Sequence, residues 1–106
     1  MSKLVRPFEV LLPLRFNDGQ SVPDELIAAT LVELESHFGA VSCETQMIRG
    51  LWPQEGRPYR DEWIRVFVDA DDTPESRQFF LAFKELLKSR FQQLDIWLAT
   101  YPIEVL

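Results

Sequence analysis

The segment from Arg49 to Trp63 holds a dense mixture of side chains that could do chemistry. Arginines alternate there with aromatic residues, and paired acids follow directly. The candidate contact residues are Arg49, Trp52, Tyr59, Arg60, Glu62 and, outside the segment, His37. Arginine forks bind anionic ligands in a bidentate manner, whereas Trp, Tyr and Arg are also the residues that dominate protein interfaces. We favour an arm that contacts a second copy of the chain, and a pocket for an anionic ligand is the alternative.

Other patterns that would mark a catalytic or metal site are weak. The chain has one Cys and one His, which excludes a disulfide scaffold and a Cys/His zinc site within one copy. A dyad of Cys43 with His37 is conceivable, although their spacing does not require it. Residues 69–72 (Asp-Ala-Asp-Asp) lack the glycine and the closing glutamate of a calcium loop. We therefore predict no catalytic residue, no cofactor and no metal, and we favour a protein that is not an enzyme.

The overall charge also limits the classes of partner. The chain has 106 residues and a formal net charge of −6, which disfavours a general nucleic-acid binder. No apolar run approaches the roughly 18 residues of a membrane span. The first seven residues lack the apolar stretch of a signal peptide, so a cytoplasmic protein is expected. Cys43 lies in a strand pattern and is expected to be a small buried apolar residue.

Periodicity predicts four strands and two helices. Five apolar residues alternate from Phe8 to Phe16 and predict the first strand. The other predicted elements are a helix that begins near Ser21 and ends at Gly39, a strand over 40–48, a long hairpin connection over 49–61, a strand over 62–70, a helix capped by Thr73 and a strand over 94–99. The apolar tail, residues 101–106, is expected to pair or pack as a further element.

The order β-α-β-β-α-β predicts a single ferredoxin-like α+β domain that covers residues 1–106. A helix between two strands implies a right-handed crossover to a parallel strand, and two such units joined by a hairpin give the split βαβ arrangement. The four-stranded sheet is then expected in the order 4-1-3-2. Both helices should cover one face, with an extra C-terminal strand as an option.

Large apolar residues fall on the sheet face that the helices leave open. The predicted interface residues are Leu11, Ile48, Trp63, Phe67 and Trp97. A contiguous apolar patch usually marks a contact site. We favour a sheet-to-sheet homodimer; coverage by the tail or hairpin, and coverage by a ligand or foreign protein, remain alternatives. RNA stacking on these aromatics is disfavoured by the acidic charge and the absence of basic flanks.

Three short stretches carry a resemblance. Residues 38–41 (Phe-Gly-Ala-Val), 49–52 (Arg-Gly-Leu-Trp) and 59–62 (Tyr-Arg-Asp-Glu) resemble a family of small uncharacterised bacterial domains with the pattern FG-(G/A)…GxW…DE. At the level of fold the chain is similar to dimeric α+β barrel proteins, which include cofactor-free monooxygenases and haem-degrading enzymes. The resemblance implies a bacterial ferredoxin-like dimer and transfers no catalytic residue, because fold alone does not define function.

These observations lead to two hypotheses. The first is a cytoplasmic module that self-associates through its open sheet face and the 49–61 arm. The alternative is a small cofactor-free enzyme or anionic-ligand-binding protein of the dimeric α+β barrel type, with its pocket near residues 49–62.

Overall fold

The computed structural model describes the backbone of residues 3–44, 48–54 and 57–106, and the side chains of residues 4–44 and 62–106. Within these ranges the elements are β1 (Lys3–Pro13), α1 (Asp24–Phe38), β2 (Ser42–Cys43), β3 (Ile48–Gln54), β4 (Arg57–Ala70), α2 (Pro74–Arg90), β5 (Leu98–Thr100) and β6 (Ile103–Val105). Neither helix is long and apolar enough to cross a membrane, a finding that applies to the described residues.

The sheet confirms the predicted ferredoxin-like topology. Its main path runs β2-β4-β1-β5, which is the predicted order 4-1-3-2 read from its other edge, and each neighbouring pair is antiparallel. Beyond this path, β3 pairs with β4, and β6 pairs with the start of β1. The predicted C-terminal pairing of the tail is therefore confirmed.

The core forms between the helices and the inner face of β1 and β4. Phe8 pairs with Val68, and Val10 pairs with Val66; all four side chains are buried because directly opposed residues share one sheet face. The Phe8 ring also stacks on Phe80 of α2, with ring centroids 4.3 Å apart. The alternation predicted for the first and third strands is thus the alternation that fills the core.

Local signals set most helix ends. The Thr73 hydroxyl accepts a hydrogen bond from the Ser76 amide at 3.2 Å and caps α2, as predicted. Gly39 ends α1 with a φ of 85°, the left-handed conformation that glycine adopts readily. The helix predicted to begin near Ser21 starts three residues later: α1 begins at Asp24 after Pro23, without a side-chain cap. Ser21 instead forms an isolated bridge with Arg15.

The predicted strand limits need correction at five places. The first strand, predicted from Phe8 to Phe16, runs from Lys3 to Pro13. The strand predicted over 40–48 is only a two-residue edge strand, β2, and β3 begins separately at Ile48. The segment 49–61, predicted as a long hairpin connection, consists largely of paired strand, since β3 pairs with the first half of β4. The third strand therefore starts at Arg57, five residues early. The fourth strand is shorter than predicted, because only residues 98–100 pair regularly with β1.

Two prolines of β1 lie where its pairing with β5 and β6 is interrupted or has ended. Pro7 lies in β1 between the part that pairs with β6 and the part that pairs with β5. Having no N–H, Pro7 fits this gap, and its carbonyl accepts a hydrogen bond from the Thr100 hydroxyl at 2.7 Å. Pro13 is the last residue of β1, where β5 has already ended. The sheet therefore accommodates both residues without losing its register.

Candidate functional site

The sheet face opposite the core carries a row of large side chains. Pro13 lies opposite Trp63, and Leu11 lies opposite Arg65, so these four residues share the face that the helices do not cover. The Leu11 amide also donates to the Trp97 carbonyl at 3.2 Å, which continues the β1–β5 register and places Trp97 beside Leu11. We call this surface the open face.

The aromatic residues of the open face differ in exposure. Trp97 is 59% exposed, whereas Leu11, Trp63 and Phe67 are each partly buried. Ile48 pairs with Trp63 through the backbone, and its side chain lies outside the described residues. Four of the five predicted interface residues therefore lie on the predicted face, and none of these four is enclosed within the core cluster.

A charged cluster occupies the middle of the open face. The Arg65 guanidinium donates from Nε to Glu9 at 2.6 Å and from Nη1 to Glu44 at 2.8 Å. Its Nη2 lies 3.4 Å from the Tyr101 hydroxyl, and its carbon Cζ lies 4.2 Å from the centroid of the Phe67 ring. Arg65 of β4 thus contacts β1, the residue that follows β2 and the link between β5 and β6. We call these residues the Arg65 cluster.

The cluster is held mainly by charge-assisted hydrogen bonds. Hydrogen bonding to Glu9 raises the pKa of Arg65 above its ordinary value, an effect that burial opposes and that Glu44 reinforces. The side chains of Arg65 and Glu9 are 23% and 17% exposed. One guanidinium faces two carboxylates, so the cluster has a formal charge of −1. The alternation of β4 puts Arg65 on the open face, but the sequence could not reveal Glu9 and Glu44 as its partners, because both contacts depend on strand register.

For the candidate contact residues in the segment 49–62, the structure gives the backbone pairing but describes only one side chain, that of Glu62. Backbone pairing puts Trp52 opposite Tyr59 and Arg49 opposite Glu62. The side chains of Arg49, Trp52, Tyr59 and Arg60 lie outside the described residues, so the predicted anion clamp stays a prediction. Glu62 is placed, with a carboxylate oxygen 3.9 Å from Nε of Arg15.

His37 and Cys43 belong to different surroundings. The His37 ring stacks on Phe79 at 4.0 Å on the helix layer, whereas Cys43 lies on edge strand β2. The expectation of a buried Cys43 is wrong, because this two-residue strand leaves its side chain exposed. Desolvation of the sulfur, and then the charge of Glu44, raises the pKa of the thiol.

Within the described ranges, no group of three or more His, Cys, Asp or Glu side chains is arranged to hold a metal ion. The carboxylates that do converge, Glu9 and Glu44, are both bonded to Arg65. The chemistry of the open face is therefore that of aromatic surfaces and charge-assisted hydrogen bonds.

Solved structures of other proteins resemble this chain in fold. No family model matches the chain, and no curated protein matches its sequence. A phage SAM lyase in complex with S-methyl-5'-thioadenosine superposes with a TM-score of 0.65 at 13% identity, over 93% of this chain and 88% of the lyase. A divalent cation tolerance protein (Cut A1) from Thermus thermophilus gives 0.61 at 14% identity, over 97% and 84% of the two chains. The phage SAM lyase in its apo state gives 0.57 at 13% identity, over 96% and 89%.

These structures define the class of the protein as a ferredoxin-like α+β fold. The similarity extends over more than nine-tenths of the chain, so it concerns the whole arrangement of helices and sheet. Identities of 13% and 14% support a shared fold and transfer no activity.

Replacing Arg65 by Met should destabilise the protein by about 2–3 kcal/mol, because the Glu9 carboxylate would be left without its cation in a largely buried position. The double variant Glu9→Leu/Arg65→Met should recover at least half of that loss, which urea denaturation can measure. The exposed Arg77→Met serves as the control and should change stability by less than about 0.5 kcal/mol. Equal losses for the single and double variants would contradict the role assigned to this pair.

Cys43 should react slowly with iodoacetamide at neutral pH despite its exposure. The thiolate is the reactive form, and a raised pKa leaves less of it at neutral pH, so the alkylation profile should lie at higher pH than that of free cysteine. Glu44→Gln should move the profile part of the way back, since it removes the second cause of the shift. Glu35→Gln on α1 is the matched control and should leave the profile unchanged.

Proposed function

We propose that this protein is a self-associating module in which a second copy covers the open face and the β3–β4 arm. The observation that carries the proposal is Trp97, which is 59% exposed beside Leu11 on a face that also carries Trp63. A cytoplasmic setting is part of the proposal, because a single exposed thiol persists unmodified where thiols stay reduced.

Burial of this surface would supply much of the free energy of association. A large aromatic side chain contributes roughly 2–3 kcal/mol when it passes from full exposure to burial. A symmetric dimer would bury the same residues of both copies, so the free energy gained from burying Trp97 and the partly buried aromatic residues is obtained twice. This gain can offset the loss of translational and rotational freedom on association, which costs about 4–15 kcal/mol.

The ribbon that β3 forms with the first half of β4, which we call the β3–β4 arm, also supports a second copy of the chain as the partner. Seven backbone pairs join β3 to β4, from Ile48–Trp63 to Gln54–Arg57. Within the described residues, β3 pairs with β4 alone. An isolated two-stranded ribbon is at best marginally stable in water. Contact with another copy would supply the missing packing, and the Trp, Tyr and Arg composition of the arm suits such a contact.

In this proposal the Arg65 cluster forms the polar part of the surface through which two copies associate. Its guanidinium and carboxylates already satisfy one another, so covering them would not leave an unpaired arginine. The exposed Glu44 side chain would instead lie toward the rim. The apolar end at Leu11, Trp63 and Trp97 would then form the desolvated centre of the contact.

Trp97→Glu should convert the associated form to a monomer, because it places a charge in the middle of the covered surface. Sedimentation velocity over a range of protein concentrations measures the change. Leu81→Glu is the matched control: Leu81 is 56% exposed on α2, on the helix side of the molecule, and this variant should associate like the parent. A parent that is monomeric at every concentration, or a Trp97→Glu variant that still associates, would contradict the proposal.

A ligand-binding function is the second candidate, favoured by the Arg65 cluster. The Arg65 cluster combines aromatic rings with carboxylates, which suits a nucleoside: a ring can stack on a base, and a carboxylate can accept a hydrogen bond from a sugar hydroxyl. One structural neighbour is a lyase bound to S-methyl-5'-thioadenosine. The pocket predicted near residues 49–62 would border this cluster through Trp63.

Titration with S-methyl-5'-thioadenosine should quench tryptophan fluorescence if this second candidate is correct. Trp97→Ala and Tyr101→Phe would weaken the binding, while Leu81→Ala would not. The absence of any quenching or heat signal at millimolar ligand would eliminate the nucleoside candidate and leave the self-association proposal intact.

A further inference from the structure

Strand β5 forms one edge of the sheet, since within the described residues it pairs with β1 alone. The Leu11 N–H donates to the Trp97 carbonyl, and hydrogen-bonded pairs alternate with non-hydrogen-bonded pairs along an antiparallel ladder. Ala99 therefore directs its backbone groups to β1, whereas Leu98 and Thr100 direct theirs away from it. None of the residues that the structure describes pairs with these outward N–H and C=O groups. They are the groups to which an added strand binds.

The free edge of β5 is short, because both of its ends are closed. The next residues that direct their backbone groups the same way are Ile96 and Pro102. A hydrogen bond from Lys84, and then one from the Ile96 N–H, lowers the pKa of Asp95, so this N–H already has a partner. Pro102 has no N–H to offer. A strand added here would therefore pair with residues 98–100.

A cleft of about 100 Å³ lies between this edge and α2. Phe8 and Phe80, both almost completely buried, line it together with residues 98–100. Arg77 and Leu81 of α2 complete the lining, and Leu81 is more than half exposed. An apolar cavity of about 150 Å³ holds a benzene molecule, so a space of this smaller size suits one aliphatic side chain.

Arg77 gives the cleft a positive charge that is not yet neutralised. The two lysines of α2 are paired, Lys84 with Asp95 at 3.0 Å and Lys88 with Glu85 at 3.1 Å. No ion pair or side-chain hydrogen bond joins Arg77 to any residue within the described ranges. The Arg77 guanidinium is therefore available to a carboxylate from a partner.

The spacing along α2 matches the spacing along a strand. The contact between Lys84 and Asp95, which precedes β5, shows that α2 and β5 run in opposite directions. Arg77 therefore lies toward the end of β5, and Leu81 lies toward its start. Helix positions i and i+4 are about 6 Å apart, and strand positions i and i+2 are about 7 Å apart. Two side chains of an added strand, two positions apart, can thus contact Arg77 and Leu81 together.

We infer that the β5 edge and α2 bind an extended peptide segment of another protein, which carries an acidic residue and, two positions later, an aliphatic residue. The order follows from antiparallel pairing, the arrangement of every neighbouring pair in this sheet. The acidic residue would lie opposite Thr100 and reach Arg77. The aliphatic residue would lie opposite Leu98 and enter the cleft, because opposed residues share one sheet face. This contact is separate from the open face and does not depend on self-association.

The probe is the capped peptide acetyl-Thr-Glu-Thr-Leu-Thr-amide, titrated into the full chain up to millimolar concentration and followed by amide NMR shifts. It should move the resonances of residues 77–84 and 98–100 and leave those of residues 63–67 on the open face in place. The same peptide with Gln in place of Glu should bind about threefold more weakly, because it loses an ion pair that is exposed and therefore modest.

Two N-methylated forms of the peptide test the strand pairing. Methylation of the Leu nitrogen removes an N–H that donates to the β5 edge and places a methyl group against it, so this form should bind about tenfold more weakly. Methylation of the central Thr nitrogen is the matched control. Its N–H points away from β5 in an antiparallel pair, so this form should bind like the parent peptide.

Arg77→Gln tests the charge from the side of the protein. This variant should bind the Glu peptide about threefold more weakly and the Gln peptide as tightly as the parent protein does. Lys88→Gln removes the same charge from α2 outside the cleft and should change neither affinity. Arg77 is exposed, so folding should tolerate its replacement.

Four results would overturn the inference. One is the absence of shift changes at millimolar peptide, and a second is shifts centred on residues 63–67. A third is equal affinity for the two methylated peptides, which would mean that the peptide does not pair as a strand. The fourth is movement of the resonances of residues 98–100 with protein concentration alone, which would make a second copy the partner at this edge.

Discussion

The antiparallel pairing of β1 with β4 is the constraint on which the rest of the structure depends. Eight consecutive residue pairs, from Arg6–Ala70 to Pro13–Trp63, lock these central strands together. Because side chains alternate at every residue, a slip of one position would send the whole apolar set to the wrong face. The register therefore decides at once what the helices bury and what the open face presents.

The same register makes the two faces chemically different. On the inner side, Phe8, Val10 and Leu12 are almost completely buried and complete a core of aliphatic and aromatic residues. On the outer side, Arg65 holds Glu9 and Glu44 in one cluster, and Leu11 and Trp63 form an apolar end. Neither set is contiguous in the sequence, since each is assembled only when the strands align.

The sequence predicted what depends on local periodicity. The alternation in the first and third strands, the apolar stripes of the helices and the Thr73 cap were all readable, because each is set by a few neighbouring residues. The topology followed from the order of the elements. The hairpin over 49–61 was predicted, but its long paired strands were not, because its glycines and prolines are typical of loops, yet an edge ribbon tolerates them.

What could not be predicted depends on contacts between distant residues. The Arg65–Glu9 bond joins positions 56 residues apart, and no spacing rule in the sequence identifies it. The surroundings of His37 could not be predicted either, because the Phe79 ring that stacks on it belongs to the other helix. Cys43 was wrongly expected to be buried although the predicted strand order already put its strand at an edge, because the pattern over 40–48 did not reveal that only two residues there pair as a strand.

The interruption at Pro7 has a consequence for how the sheet comes apart. Only three residue pairs hold β6 to β1, from Lys3–Val105 to Val5–Ile103, and Tyr101 and Pro102 separate them from the ladder that β5 makes. Strand β6 can thus detach from β1 as a unit by local unfolding, while Phe8 and Val10 remain buried in the core. Such local unfolding would expose a short stretch of unpaired N–H and C=O groups along β1. A strand from another chain could pair with these groups by backbone hydrogen bonds.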